Sequence, residues 1–396
     1  MAPQPITRAE ISRSRLTGNF LRLRSLAQRS SYSDRCDLLA VVKAEAYGHD
    51  VKLCAPWLVE AGATWLGVTS VEEGLAVRRL CPEVRILVMS GLQSSDAAKM
   101  LNAHLTPTVW DLAHLEILGS LAKQRSLASD SIPVHLEIDT GMSRQGVQGT
   151  ELGDFLDRLR GIPALQLEGV FTHFASPEVL DAEENSQQLT CFQQAAEQIA
   201  SAGFRPQWIH AGNSSTLLGQ QQLVPLVALA KKFDANFLLR PGLSLYGYAL
   251  PFVGGRDGRM PIELQPVMAW KTAVASLRTI EAGTRVGYNG TFVASRQMRL
   301  ALLPVGYADG LNRKLSNRGH VLLGGAAAPI VGRISMDLTI VDVGDTPDAA
   351  VGDEAVILGE QNGQRITADD HARWAETIPY EILCAVGARV QRVAAD

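Results

Sequence analysis

The first clear strand in this sequence reads Leu38-Leu39-Ala40-Val41-Val42-Lys43-Ala44-Glu45-Ala46-Tyr47-Gly48-His49, an apolar run that ends on one lysine. Five apolar residues followed by turn-forming residues predict a buried strand with Lys43 at its carboxyl end. An ammonium group held where water is scarce has a lowered pKa and can act as a Schiff-base nucleophile. The alternative is an idle lysine whose side chain extends to the surface, as long charged side chains readily do.

Seven more short apolar runs follow that strand, spaced about 20 to 40 residues apart. They lie at residues 65–68, 84–89, 105–109, 134–138, 167–171, 208–210 and 237–239. Segments between them, such as 71–80, 95–103, 151–159 and 186–202, have the spacing of amphipathic helices, as do residues 8–30 ahead of the first strand. This alternation predicts an N-terminal (β/α)8 TIM barrel, although an open doubly wound sheet gives a similar pattern.

The positions of chemically reactive residues favour the barrel. Lys43, Arg144, His173, Asn213-Ser214 and Arg240 come at or just past the carboxyl ends of predicted strands one, five, six, seven and eight. In a barrel these ends converge on one face, and active sites of this fold lie there. We therefore expect these residues to share one site.

Beyond about residue 250 the pattern changes to longer β-type runs separated by glycine turns. These runs lie at residues 267–280, 298–305, 321–323, 338–343 and 355–358, with one helix near 367–377. We predict a barrel domain over residues 10–250 and a C-terminal mostly-β domain over 251–396. The first few residues are expected to pack with the second domain.

Composition excludes several classes of protein. The chain has 396 residues, 46% of them hydrophobic, and a net charge of only −4, which indicates a soluble globular protein without affinity for nucleic acid. We see no apolar run of membrane-spanning length and no signal-peptide pattern, and expect a cytoplasmic protein. Five scattered cysteines and eight histidines without metal-ligand spacing predict neither a disulfide framework nor a metal site.

Three loops of the predicted barrel carry candidate binding groups. Arg144 lies in a glycine-flanked loop and has the fork geometry to hold a carboxylate, although a loop arginine can equally pair with a surface acid. His173 ends a strand, where a histidine with satisfied hydrogen bonds is the plainer interpretation. Gly212-Asn213-Ser214 and Arg240-Pro241-Gly242 follow strands seven and eight, where barrels bind phosphate through backbone N–H groups.

The motifs together resemble the alanine racemase family, which is built from a barrel and a β domain. The family's lysine motif, Val-Val-Lys-Ala-Asn-Ala-Tyr-Gly-His-Gly, stands here as residues 41–50 with Glu45 and Asp50 in place of asparagine and the last glycine. Other motifs follow in the family's order: Asp139-Thr140-Gly141-Met142-Ser143-Arg144, Thr172-His173-Phe174, Val286-Gly287-Tyr288, Gly306-Tyr307-Ala308-Asp309-Gly310 and Ser335-Met336-Asp337.

The resemblance implies a pyridoxal-phosphate enzyme that interconverts L- and D-alanine and supplies D-alanine for cell-wall peptidoglycan. It implies that Lys43 forms the aldimine and is the base on one face of the substrate. Tyr288 from the other subunit of a homodimer is then the base on the opposite face, assisted by His173 and Arg240. Further implied roles are phosphate binding by Tyr47, Ser214, Gly242, Leu243 and Tyr380, substrate binding by Arg144, Met336 and Tyr307, and a corridor of Glu178, Arg313 and Arg333.

Glu137 departs most informatively from the family. Many members carry a lysine there that becomes carbamylated and braces the substrate-binding arginine. We expect Glu137 to supply a carboxylate directly and to steer Arg144. The open alternatives are a serine or broad-specificity racemase, a related decarboxylase, which would not need Tyr288, and a non-catalytic pyridoxal-phosphate-binding protein.

Overall fold

The first strand of the chain belongs to the C-terminal sheet. The computed structural model describes residues 6–29, 35–254 and 261–396. It begins with β1 (Arg8–Ser12) and α1 (Arg13–Gln28). The prediction of one helix over residues 8–30 was therefore wrong at its start, where residues 8–12 form a strand. Residue 30 lies outside the described residues. The strand forms because Ala9 and Ile11 are buried and its backbone pairs on both edges, and Ser12 Oγ then accepts a hydrogen bond from Arg15 N and caps the helix.

Eight parallel strands close the N-terminal part into a barrel. In chain order they are β2 (Cys36–Val41), β3 (Trp65–Val68), β4 (Arg85–Val88), β5 (Thr106–Val109), β6 (Ile132–Asp139), β8 (Leu165–Phe171), β9 (Trp208–His210) and β10 (Asn236–Leu239), with the short β7 (Val147–Gln148) added beside β6. Pairing of β10 with β2 and of β5 with β6 completes the ring. The predicted TIM barrel is confirmed, since an open sheet has two unpaired edges.

Helices surround this barrel in the predicted alternation. They are α3 (Val51–Glu60), α4 (Val71–Leu80), α5 (Ser94–Asn102), α6 (Leu112–Gln124), α7 (Leu152–Arg160), α8 (Glu183–Ser201), α9 (Ser214–Gly219) and α10 (Leu223–Lys232). The short α2 (Lys43–Gly48) after the first barrel strand is a single turn with left-handed backbone angles. A capping box of Ser70 and Glu73 starts α4. No helix of the described residues is long and apolar enough to cross a membrane.

The C-terminal part is mostly β, as predicted. Its strands are β11 (Met268–Ala273), β12 (Ser276–Ile280), β13 (Arg285–Val286), β14 (Phe292–Val293), β15 (Met298–Leu303), β16 (His320–Leu323), β17 (Ala326–Pro329), β18 (Thr339–Asp342), β19 (Glu354–Gln361), β20 (Gln364–Ile366) and β21 (Gln391–Ala395). Its main sheet has seven strands, and β1 lies in that sheet between β11 and β21. The predicted helix is α11 (Ala368–Ala375), and a second one, α12 (Pro379–Cys384), follows it. The domain boundary near residue 250 stays a prediction.

Candidate active site

A cavity of about 310 Å³ lies at the carboxyl ends of the barrel strands. Loops after β2, β6, β8, β9 and β10 form its walls, and α12 adds a side chain from the C-terminal part. Ten of the residues predicted for the site line it: Lys43, Tyr47, Glu137, Arg144, His173, Ser214, Arg240, Gly242, Leu243 and Tyr380. The convergence expected from the strand ends therefore occurs.

Lys43 stands at the start of a strained turn. Four successive residues after it, Ala44 to Tyr47, adopt left-handed backbone angles with φ of 52° to 54°. Such angles are costly for residues with a Cβ and are retained where the surroundings fix them. Here Ala44 N donates to Glu73 Oε1 at 2.7 Å, and a Cβ on Gly48 would come within 2.2 Å of the Leu383 carbonyl oxygen. The turn thus holds Lys43 and Tyr47 in fixed positions.

The surroundings of Lys43 favour the neutral amine. Burial lowers the pKa of Lys43 and the nearby Arg144 cation lowers it further, while the carboxylate of Glu73 acts in the opposite direction. A lysine with a lowered pKa is a better nucleophile and base near neutral pH.

One end of the cavity is a cradle of hydrogen-bond donors. Ser214 Oγ lies 3.1 Å from Gly242 N, 3.1 Å from Ser244 N and 3.0 Å from Ser244 Oγ. A Cβ on Gly242 would come within 2.2 Å of the Tyr47 hydroxyl, so only glycine fits there. Backbone N–H groups and hydroxyls gathered around a small space are the donor set that binds phosphate. The sequence pattern identified Ser214 and Gly242. It did not identify Ser244, which holds Ser214 by donating its N–H and its hydroxyl to Ser214 Oγ.

A line of polar side chains runs from the partly exposed Arg85 through the buried barrel interior to Arg240. Arg85 Nη2 donates to Glu168 at 2.5 Å, Glu168 Oε2 lies 3.2 Å from His135 Nε2, and His135 Nδ1 lies 2.8 Å from His210 Nε2. His210 Nδ1 then lies 3.1 Å from Arg240 Nη1. Sequence reasoning did not predict this line, although His135 and Glu168 are polar residues within apolar strands, which is itself a signal of buried pairing.

Arg240 is the buried cation at the end of that line that reaches the cavity. Its Nη2 donates to the Thr172 carbonyl oxygen at 2.8 Å and lies 3.2 Å from His173 Nδ1. Burial lowers the pKa of Arg240 to about 10, which leaves it cationic at neutral pH. Burial, followed by the charge of Arg240, lowers the pKa of His173 to about 3 and keeps that ring neutral.

Glu137 lies in the cavity but does not hold Arg144 directly. Its side chain is buried, and its Oε2 accepts a hydrogen bond from Gln145 Nε2 at 2.5 Å. No hydrogen bond joins Glu137 to Arg144 within the described ranges, which include both residues. Burial raises the pKa of Glu137 to about 7, although Gln145, Arg240 and Arg144 oppose that rise.

Three predicted site residues lie outside this cavity in the single chain. Tyr288, Met336 and Tyr307 are 68%, 53% and 43% exposed. Tyr307 and Met336 lie in two neighbouring loops that are joined by hydrogen bonds, since Tyr307 N donates to Ser335 O and Ala308 N donates to Met336 O. The predicted corridor residues Arg313 and Arg333 line a second cavity of about 430 Å³.

Comparison with known proteins agrees with this geometry. Residues 11–250 match the family model for the N-terminal domain of alanine racemase, and residues 267–394 match the model for its C-terminal domain. The chain belongs to the alanine racemase family. Alanine racemase 2 of Caldanaerobacter subterraneus subsp. tengcongensis, a curated member of the alanine racemase family, is 34% identical over 392 residues, which span 98% of this chain and 94% of that protein.

Solved alanine racemase structures have the same fold. The enzyme of D-cycloserine-producing Streptomyces lavendulae superposes with a TM-score of 0.88 at 31% identity, over 100% of this chain and 98% of that one. The Bartonella henselae alanine racemase, solved with covalently bound pyridoxal phosphate, gives a TM-score of 0.81 at 27% identity, over 99% and 100% of the two chains.

Proposed function

We propose that this chain is a pyridoxal-phosphate-dependent racemase that interconverts L-alanine and D-alanine and so supplies D-alanine for peptidoglycan. The observation that carries the proposal is one cavity lined by Lys43, with its lowered pKa, by the cradle of Ser214 and Gly242 and by Arg144. Membership of the alanine racemase family supports the same reaction.

The donor cradle fits the phosphate of the cofactor. Phosphate binding is assigned to Tyr47, Ser214, Gly242, Leu243 and Tyr380. Arg240 is assigned to the pyridine nitrogen, where a permanent cation disfavours protonation of the ring. When bound, pyridoxal phosphate supplies an electron-withdrawing system that stabilises negative charge at the substrate Cα.

Racemisation needs a proton acceptor on one face of Cα and a donor on the other. Lys43, whose pKa is lowered by burial and by Arg144, serves as the base on one face. Tyr288 serves on the opposite face and comes from the second subunit of a homodimer, which agrees with its 68% exposure in a single chain. His173 and Arg240 then lie beside that tyrosine.

Substrate orientation is assigned to residues outside the cradle. Arg144 and the backbone of Met336 hold the alanine carboxylate, and Tyr307 of the second subunit narrows the entrance. Glu137 belongs to the substrate side, where its carboxylate replaces the carbamylated lysine of other family members. Selection of a methyl side chain is assigned to the space between Tyr307 and Tyr380.

Chiral analysis of purified protein with added pyridoxal phosphate tests the proposal. We expect conversion of L-alanine to D-alanine and the reverse, with much slower conversion of L-serine. Lys43→Ala is expected to abolish both directions. A yellow protein that racemises no amino acid would instead be a non-catalytic cofactor-binding protein, and equal rates with serine would indicate a broad-specificity racemase.

A further inference from the structure

The loop that carries Arg144 is closed at its base. It leaves β6 at Asp139 and returns at β7, where Ile138 pairs with Val147 and Asp139 pairs with Gln148. The return passes through Gly146 at φ 116°, where a Cβ would lie 2.4 Å from Asp139 N. The ends of the loop are therefore fixed, and the side chains within it determine how its middle is held.

Gln145 is the residue that ties this loop to the cavity wall. Its Nε2 donates to Glu137 Oε2 at 2.5 Å and to the Met89 carbonyl oxygen at 3.0 Å. Both protons of the amide nitrogen are thus used. Asp139 Oδ1 fastens the other half of the loop by accepting from Gly141 N and Ser143 N, each at 3.0 Å.

Arg144 lies between these two fastened halves and is itself exposed. No hydrogen bond fixes its guanidinium in the part of the chain that the structure describes. Its position therefore depends on the backbone, and the nearest side-chain anchor of that backbone is Gln145. Glu137 is only 3% exposed, and a buried carboxylate needs a donor, which makes Gln145 its natural partner.

We propose that Glu137 and Gln145 form a positioning pair, in which Glu137 holds Gln145 and thereby sets the place of Arg144. This inference rests on the proposed role of Arg144 in receiving the substrate carboxylate. The pair acts on the substrate through Arg144, so its loss weakens binding of a carboxylate more than it slows the chemical step.

Gln145→Met tests the pair, because methionine keeps the length of the side chain and removes both donors. The probe is propionate, a carboxylate without the amino group, titrated by calorimetry into the protein loaded with pyridoxal phosphate. We expect the propionate Kd and the KM for alanine to rise about tenfold each, with kcat within about threefold. Gln148→Met, an exposed position on the same segment, is the matched control and should bind as wild type does.

A double-mutant cycle with Glu137→Met separates a pair from two independent residues. If the two act together, the double variant binds propionate about tenfold more weakly than wild type, as each single variant does, and not about a hundredfold. Unchanged binding in Gln145→Met, or additive losses in the double variant, would overturn the proposal. Should Gln145→Met not fold, the shorter Gln145→Asn carries the same prediction. A wild-type protein that neither racemises alanine nor binds propionate would contradict the proposed function instead.

Discussion

Lys43 shows how a residue gains its chemistry from its surroundings. The sequence placed it at a strand end, and the apolar run before it was enough to predict that position. Its lowered pKa arises from burial and from Arg144, which is distant in sequence. Gln145 was not predicted, because a neutral amide in a polar loop has no distinctive pattern. Its importance comes from its hydrogen bond to the buried Glu137, which the folded chain brings next to it.

Glu137 makes folding stability depend on pH. Its pKa is raised from 4.5 to about 7, so its contribution to stability is fully present below pH 4.5 and is lost as the pH rises through about 7. At pH 8 the buried charge costs up to about 3 kcal/mol. Thermal unfolding should therefore show that Glu137→Gln is stabilised relative to wild type more strongly at pH 8 than at pH 5. A difference that does not change with pH would contradict this.

The same variant tests the site assignment of Glu137. If the Glu137 carboxylate contributes to substrate binding, replacing it by an amide should change the affinity for alanine. We expect a changed KM for alanine in Glu137→Gln, measured without added bicarbonate and again with it, and no response to bicarbonate in either protein. Unchanged alanine affinity and rate in the variant would remove Glu137 from the site.

At the scale of elements, the turn after β10 and the start of α9 build the donor cradle together. Gly242→Ala would bring a Cβ within 2.2 Å of the Tyr47 hydroxyl. We expect the affinity for pyridoxal phosphate to fall by at least about tenfold, because overpacking of this kind typically costs about 1–3 kcal/mol. Absorbance titration of the apoprotein measures it. Gly149→Ala, with no atom within 4 Å of the added Cβ, is the control, and equal affinity in both variants would contradict the cradle.

The interior of the barrel depends on the pairing of Glu168. Although burial raises the pKa of this carboxyl, hydrogen bonds and charges from His135 and Arg85 lower it to about 2. Its stabilisation is present above its ordinary pKa of 4.5 and is lost as the pH falls through about 2. Glu168→Gln should lower the free energy of unfolding by about 3 kcal/mol at pH 7, and by less at pH 3.

Denaturant unfolding at the two pH values checks this, with the exposed Glu83→Gln as control. A variant as stable as wild type at pH 7 would show that the line of polar side chains adds nothing to the fold.

All eight barrel strands were predictable, because each is a short apolar run set off by helical segments and turns. β1 was not, since Ala9 and Ile11 continue the apolar spacing of α1 and suggested one longer helix. Its strand form comes from pairing with β11 and β21, which lie more than 250 residues further along the chain. Local pattern cannot signal a partner at that distance.

For the whole molecule, the sequence indicated two kinds of architecture, and both are present. A single chain does not bring the proposed second base, Tyr288, to the cavity that contains Lys43. Tyr288, Tyr307 and Met336 are exposed, and none of them lines the cavity that contains Lys43. The proposed site built from two subunits would account for this exposure, and it would make activity depend on association.

Subunit complementation tests whether the active site is shared between two chains. Lys43→Ala and Tyr288→Phe homodimers are each expected to be inactive in alanine racemisation. When the two are unfolded, mixed equally and refolded with pyridoxal phosphate, half the dimers are mixed and each has one intact site. We expect about a quarter of the wild-type rate in the mixture. A mixture as inactive as its two components would contradict a site shared between chains.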